Sequence, residues 1–241
     1  MAVPSILRTE RLAKRFGGVI ATDNVSINVL QGELRCIIGP NGAGKSTLFS
    51  LLTGIDRPDA GSVYLKGEDV TQLSAFRRVR RGLGLTFQTN RSFHRLSVRQ
   101  NLEAVLDVPR HDRPPDAQER YRFALDQFRL DPASELPANQ LPHHQLQWLE
   151  IAMVLAAGPD VILLDEPTAG MSPDETMQTA AVLKHLNARG ITIIVVEHDI
   201  AFVREVAQRV TVVHQGRIFA EGSVREITEH ADVRRIYLGQ A

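Results

Sequence analysis

Nine consecutive residues, "GPNGAGKST" from Gly39 to Thr47, carry the densest chemistry in the chain. They satisfy the pattern G-x-x-x-x-G-K-[ST], and each residue type has a reason to be there. Gly39, Gly42 and Gly44 let backbone N–H groups turn inward around phosphate oxygens, with Pro40, Asn41 and Ala43 filling out the loop. The helix that starts here adds the positive end of its dipole. Lys45 supplies a charge for β- and γ-phosphates. The Ser46 hydroxyl, next to Thr47, can ligate Mg²⁺. A second group lies in "VILLDE". There Asp165 ends an apolar run, where ligands of open α/β sheets collect, and can hold Mg²⁺ opposite Ser46. Glu166, next to it, is placed to polarise an attacking water. Together these residues describe a site for a nucleoside triphosphate and its metal.

Such a site needs a strand before the loop and a helix after it, and the flanks predict both. "ELRCIIG" (33 to 39) is an almost continuous apolar run, as a buried central strand should be. "STLFSLLTG" predicts a short helix closed by Gly54. "VSINVL" (25 to 30) and "SVYLKG" alternate apolar and polar with the period of half-buried strands. Residues 98 to 108 and 117 to 128 have helical spacing, separated by the proline-rich "PRHDRPPD" (109 to 116). Then come a strand at "VILLD", a helix over 173 to 189, a strand over "ITIIVVEHD", a helix over 200 to 207, and two strands around Gln215-Gly216 in "RVTVVHQGRIFAEG". Alternating strands and helices argue an α/β fold with a mainly parallel sheet. The stretch from 90 to 155 reads as purely helical and hence as a separate lobe.

Bulk composition removes several classes. Lys+Arg 28 balances Asp+Glu 28 across 241 residues, so no general field draws the chain to nucleic acid or anionic lipid. The single cysteine, Cys36, excludes an internal disulfide and a multi-cysteine metal cluster, and its apolar setting predicts a buried structural thiol. The N-terminus has no continuous apolar stretch of the kind that makes a signal peptide. No segment reaches the roughly eighteen apolar residues that span a bilayer. The expectation is a soluble, cytoplasmic chain.

With these motifs in place the chain resembles the ATP-binding cassette subunit of an ABC transporter, over nearly its full length. The resemblance implies a P-loop NTPase cassette, one domain over 1–241. Its core, 1–89 and 156–241, would be a mainly parallel sheet with an antiparallel β part; 90–155 would be an inserted helical lobe. Single residues fall at the family's stations. Gln88 in "LTFQT" resembles the residue that reaches Mg²⁺ and water while linking core to lobe. His198 in "VVEHD" resembles the histidine that contacts the γ-phosphate, and Phe16 in "KRFGG" the aromatic that stacks on adenine. Each has a plainer alternative: a solvated loop glutamine, a strand-end histidine, a core phenylalanine. Within the family, "RFGGVIATDNVS", "LDEPTAGMSP" and "IYLGQA" are similar to cassettes of importers for branched-chain amino acids, urea and short amides. "HxQxQWLEI" leans towards the urea and amide branch.

The family also implies what Leu141 to Gln145 should be: Leu-Ser-Gly-Gly-Gln, whose serine hydroxyl and glycine N–H groups donate to the γ-phosphate held by the opposite cassette. Here the sequence is Leu141, Pro142, His143, His144, Gln145. Pro142 removes a hydroxyl and an N–H together, while suiting the first turn of a helix. His144 brings a side chain into a close approach. A protonated His143 or His144 is the alternative donor. Ser172 stands where many relatives have aspartate.

The resemblance implies ATP and Mg²⁺ as cofactors, and as partners a second cassette, two transmembrane permease subunits and indirectly a solute-binding protein, at the inner face of the cytoplasmic membrane, with no nucleic acid. A heterodimer is favoured, because a second cassette would bring an intact signature. The segment 88 to 101 is the expected docking surface. Two alternatives stay open: a cassette of a lipopolysaccharide-type exporter, and an ATP-gated scaffold with little hydrolysis of its own.

Overall fold

The structure, a computed structural model, describes residues 3–87, 91–106 and 114–238. Its first elements are β1 (Ser5–Phe16), β2 (Val19–Val25), β3 (Asn28–Leu30), β4 (Leu34–Ile38), α1 (Lys45–Thr53), β5 (Ala60–Leu65), β6 (Glu68–Asp69), α2 (Ala75–Val79) and β7 (Leu83–Leu85). Helices α3 (Val98–Leu106), α4 (Ala117–Gln127) and α5 (His143–Ala156) follow. The chain then alternates through β8 (Val161–Asp165), α6 (Pro173–Ala188), β9 (Thr192–Val196), α7 (Ile200–Val206), β10 (Arg209–His214) and β11 (Arg217–Gly222), and ends in α8 (Val224–Glu229) and α9 (Ala231–Leu238).

Two sheets result. One is antiparallel, ordered β2-β1-β5-β6 with β3 also on β1; the other runs β11-β10-β4-β9-β8-β7, parallel except for the β10–β11 pair. β4 sits in the middle of the second sheet and every one of its residues is buried, which is why its sequence is continuously apolar. The connection from β4 leads away to β7 at the far edge, and β8 and β9 return towards β4. The loops after β4, β8 and β9 therefore leave the same carboxyl edge, where such sheets bind ligands.

Several expectations needed correction. The run 25 to 30 is not one strand: β2 ends at Val25 and β3 begins at Asn28. The strand expected over 191 to 199 spans only Thr192–Val196, and Asp199 already caps the following helix. β1, the longest strand, gave no period-two signal in its charged sequence; Arg11 at φ 46° and register shifts against β2 and β5 break the alternation. Among the described residues of the stretch 90–155 the regular elements are helical, apart from an isolated antiparallel bridge between Ser97 and Pro137. Its helices do not have a core of their own. Val98, Tyr121, Phe128 and Trp148 belong to the same buried cluster as Ile162, Leu164 and Ile193 of the parallel sheet. The Trp148 indole stacks on Phe128 and donates to the Thr179 hydroxyl at 2.9 Å, fastening α5 to α6.

The two sheets are joined by Arg35 of β4, which is only 2% exposed. Its guanidinium donates to Glu33 at 2.6 Å, to Glu221 of β11 at 2.8 Å and to the Asn28 carbonyl of β3 at 2.8 Å. Removing one partner of a buried pair strands the other charge. Arg35→Ala is expected to cost about 3–5 kcal/mol of folding stability, read as a lower denaturant midpoint; a loss within the surface range of about 0.5 kcal/mol would show that the junction does not depend on it.

Candidate functional site

The phosphate loop is shaped by close backbone approaches. A Cβ on Gly39 would sit 2.2 Å from the Val213 carbonyl oxygen, and one on Gly44, at φ 102°, 2.3 Å from that of Ala21. Any larger residue at either position would force β10 or β2 away. The loop is fixed from outside as well: Gly216 N–H donates to the Ala43 carbonyl at 2.8 Å. Pro40 and Asn41 round the loop beside Gly42, which also has positive φ. α1 then begins at Lys45, with exposed Ser46 and half-buried Thr47 in its first turn. At the other end α1 is anchored by Arg78, which is 1% exposed and donates to the Leu51 and Leu52 carbonyls at 2.8 and 2.7 Å.

The Lys45 ammonium lies inside the loop's curve, bonded to the Gly39 carbonyl at 2.7 Å and that of Pro40 at 3.1 Å. Burial holds its pKa below the ordinary lysine value, while Glu166 and Asp165 pull the other way. Asp165 ends β8 as expected; burial, and then the Glu166 charge, push its carboxyl up to about 6, against the opposing pull of Lys45. Glu166 adopts φ 47°, in the left-handed region that costs a non-glycine residue about 1–3 kcal/mol. Its N–H is held by the Val196 carbonyl at 2.9 Å, and its carboxylate lies 3.6 Å from His198 Nδ1. His198 is 59% exposed, open to a ligand rather than packed. No group of three or more metal-ligating side chains occurs among the described residues. One carboxylate, one hydroxyl and phosphate oxygens form the sparse oxygen set that suits Mg²⁺, so these residues fit a magnesium nucleotide.

Phe16 ends β1 half-exposed, with the Lys14 ammonium 5.5 Å from its ring centroid, so it is not a core packer. The β1–β2 hairpin that carries it continues into the Ala21 backbone beside Gly44. Gln88 lies outside the described residues. Beside it, the Phe87 N–H donates to Glu150 of α5 at 3.3 Å, and Arg91 covers the Phe87 ring. Glu150 faces an apolar groove lined by Leu85, Phe87, Val105 and Met153, and burial pushes its carboxyl up to about 7. Cys36 is fully buried and its thiol is raised by burial and then by Glu197, as an inert structural cysteine should be.

At the signature position Leu141 packs partly buried, and Pro142, with φ −54° and ψ 153°, is the residue before the helix rather than its first turn. It offers neither N–H nor side-chain cap. Both histidines turn back onto their own chain: His143 Nε2 is 3.2 Å from the Ala169 carbonyl, and His144 Nδ1 is 2.8 Å from Glu175. His144 thus leans towards the start of α6, where Glu175 lies. Gln145 is half-buried in the first turn. Ser172 has a local reason: it forms a reciprocal capping box with Glu175 at the start of α6. Sequence reasoning passed over Glu197, a carboxylate 1% exposed behind Glu166 and His198. Its signal was a lone acid at the end of an apolar strand beside a catalytic candidate.

A family model described as ABC transporter matches residues 22–169. A probable ABC transporter ATP-binding protein of Azorhizobium caulinodans is 36% identical over 95% of this chain and 81% of its own. The lipopolysaccharide export system ATP-binding protein LptB of Escherichia coli K12 is 34% identical over 97% of both chains. Among solved structures, the ADP conformation of MJ1267, an ATP-binding cassette of an ABC transporter, superposes with a TM-score of 0.85 at 30% identity, covering 98% of this chain and all of that one.

The raised Asp165 carboxyl has a consequence for the nucleotide-free chain. A folded pKa of about 6 against 3.8 unfolded means the folded state binds more protons between these values, so the associated stability is complete only below 3.8 and is lost as pH rises from there through 6. Asp165→Asn is expected to raise the denaturant midpoint at pH 8 and to lose most of that gain at pH 4. An equal effect at both pH values would mean that the charge is not what is being relieved.

Proposed function

The chain belongs to the ATP-binding cassettes of ABC transporters, and on that premise we propose that Glu166, His198 and the loop Gly39–Thr47 turn over ATP to drive an export system of the lipopolysaccharide type. The chain is an ATPase coupled to transport and uses Mg²⁺ with its nucleotide. Cassettes of this family dimerise and work with transmembrane permease subunits. The observation that carries the catalytic assignment is the Glu166 carboxylate, held at a strained backbone position 3.6 Å from His198 at the mouth of the phosphate loop. The relatives named for lipopolysaccharide export favour an exporter over the importer of branched-chain amino acids, urea or short amides, which rests on motif resemblance alone. A peripheral position on the inner face of the membrane fits either; no helix among the described residues is long and apolar enough to cross a bilayer.

In this reading Lys45 and the N–H groups of Gly42 to Ser46 bind the β- and γ-phosphates, and Phe16 offers its exposed ring to the base. Mg²⁺, when bound, offsets charge developing on the phosphate oxygens, with Ser46, Asp165 and Gln88 as its protein-side contacts. Glu166 accepts a proton from the attacking water, and His198 fixes the γ-phosphate end. The groove beside Glu150 and the exposed Phe93 continue the surface at which 88 to 101 would meet a membrane subunit.

The test is Glu166→Gln in the chain assembled with its membrane subunits. ATP is expected to bind as in the wild type, while turnover falls by about 10²–10⁴, the contribution of a positioned general base. Lys45→Ala should weaken ATP binding itself. Wild-type turnover in Glu166→Gln would remove that residue from the mechanism. Turnover stimulated by a solute-binding protein would move the assignment back to an importer.

The signature supports a dimer with a second, different cassette. Pro142 offers no donor, and both imidazoles are engaged with Ala169 and Glu175 of the same chain. Losing one preorganised donor to developing charge costs about 2.7–4 kcal/mol, on the order of 10²–10³ in rate. The substitution Pro142→Ser with His143→Gly and His144→Gly is therefore expected to raise ATP turnover of the chain alone by about that factor. Equal, high turnover in both versions would show that the present residues already serve the phosphate and that no second cassette is needed.

A further inference from the structure

Glu197 is a buried carboxylate with no lysine or arginine partner among the described residues, and its two oxygens serve two different loops. Oε1 accepts from the Thr168 hydroxyl at 2.6 Å and from the Thr168 N–H at 3.4 Å, in the loop that follows β8. Oε2 accepts from the N–H groups of His198 at 2.9 Å and Asp199 at 3.3 Å, in the loop that follows β9. Its own N–H donates to the Ile37 carbonyl of β4 at 3.1 Å, one residue before the strand gives way to the phosphate loop. A charge this deep is costly unless it is fully hydrogen-bonded, and an apolar side chain could fill the same space without that cost. What an apolar group could not do is accept donors from both loops at once. Thr168 is two residues beyond Glu166, and Glu197 is the immediate neighbour of His198, so the carboxylate spans the gap between the two groups that meet at 3.6 Å. Asp199 extends the tie by capping α7 through bonds from Ala201 and Phe202.

We propose that Glu197 is a positioning residue that locks the loop of Glu166 to the loop of His198, so that the two groups approach the γ-phosphate as one unit. The proposal rests on the roles assigned above to Glu166 and His198. It makes Thr168 the informative partner, because Thr168→Val removes the short hydroxyl bond and leaves the Glu197 side chain in place, whereas Glu197→Gln turns an amide NH₂ onto one of its donors.

Two measurements on the full chain, with its partner subunits where turnover is followed, decide the matter. Thr168→Val and Glu197→Gln are each expected to lower kcat by roughly ten- to a hundredfold, the scale of a small misplacement of a catalytic group, with KM for ATP little changed. Thr168→Ser, which keeps the hydroxyl, recovers most of the rate lost in Thr168→Val. In amide hydrogen exchange on the chain alone, Thr168→Val is expected to speed exchange across 197–200, and Glu197→Gln across 166–172. Exchange changes confined to the substituted loop would overturn the tie. Exchange rising in both loops with kcat unchanged would leave the tie as structure only, and would place the failure in the roles given to Glu166 or His198.

Discussion

Like charges crowded at the edge of a buried sheet repel one another, and this fold places three carboxylates there. Asp165, Glu166 and Glu197 leave adjacent strands at the same carboxyl edge, and the first of them is pushed up to about 6 by burial and by the second. The arrangement persists because the charges are compensated. Glu166 and Asp165 act on the Lys45 ammonium, and Glu197 has four hydrogen-bond donors. A magnesium nucleotide fits this field: the cation relieves the repulsion around Asp165, and the phosphates answer Lys45 and the helix end behind it.

The rest of the molecule keeps that edge in register. β4 is buried along its whole length, so its end delivers Gly39 to a fixed height beside β10. Arg35 ties the same strand to β3 of the antiparallel sheet, and the β1–β2 hairpin carries Phe16 to the loop's flank. The lobe helices share one hydrophobic cluster with the parallel sheet, so α5 is braced against α6 through Trp148 and Thr179. That bracing brings the first turn of α5 against Ala169 and Gly170, which follow β8.

This contact gives the unusual signature a local logic. In a helix whose first residues donate to a phosphate on another subunit, side chains must stay small. Here the helix start is set by a proline, and the histidines bond to their own chain, His143 to Ala169 and His144 to Glu175. The helix keeps its shape while His143 Nε2 and His144 Nδ1 meet groups of their own chain.

The sequence by itself determined the phosphate loop, because glycines that permit close approach, a lysine and a hydroxyl at fixed spacing have few other uses. It determined the buried strands β4, β8 and β9, whose two covered faces leave continuous apolar runs. It also determined the α/β class, through the alternation of those runs with helices. It did not reveal β1, where a bulge at Arg11 breaks the alternation, nor the break between Val25 and Asn28. Only the tertiary structure decided that Glu197 faces two loops, that Ser172 caps a helix, and that His143 and His144 meet Ala169 and Glu175. The reason is the same in each case: a local sequence fixes the period of its own backbone, whereas the partner of a polar side chain is set by segments that meet only when the sheet is assembled.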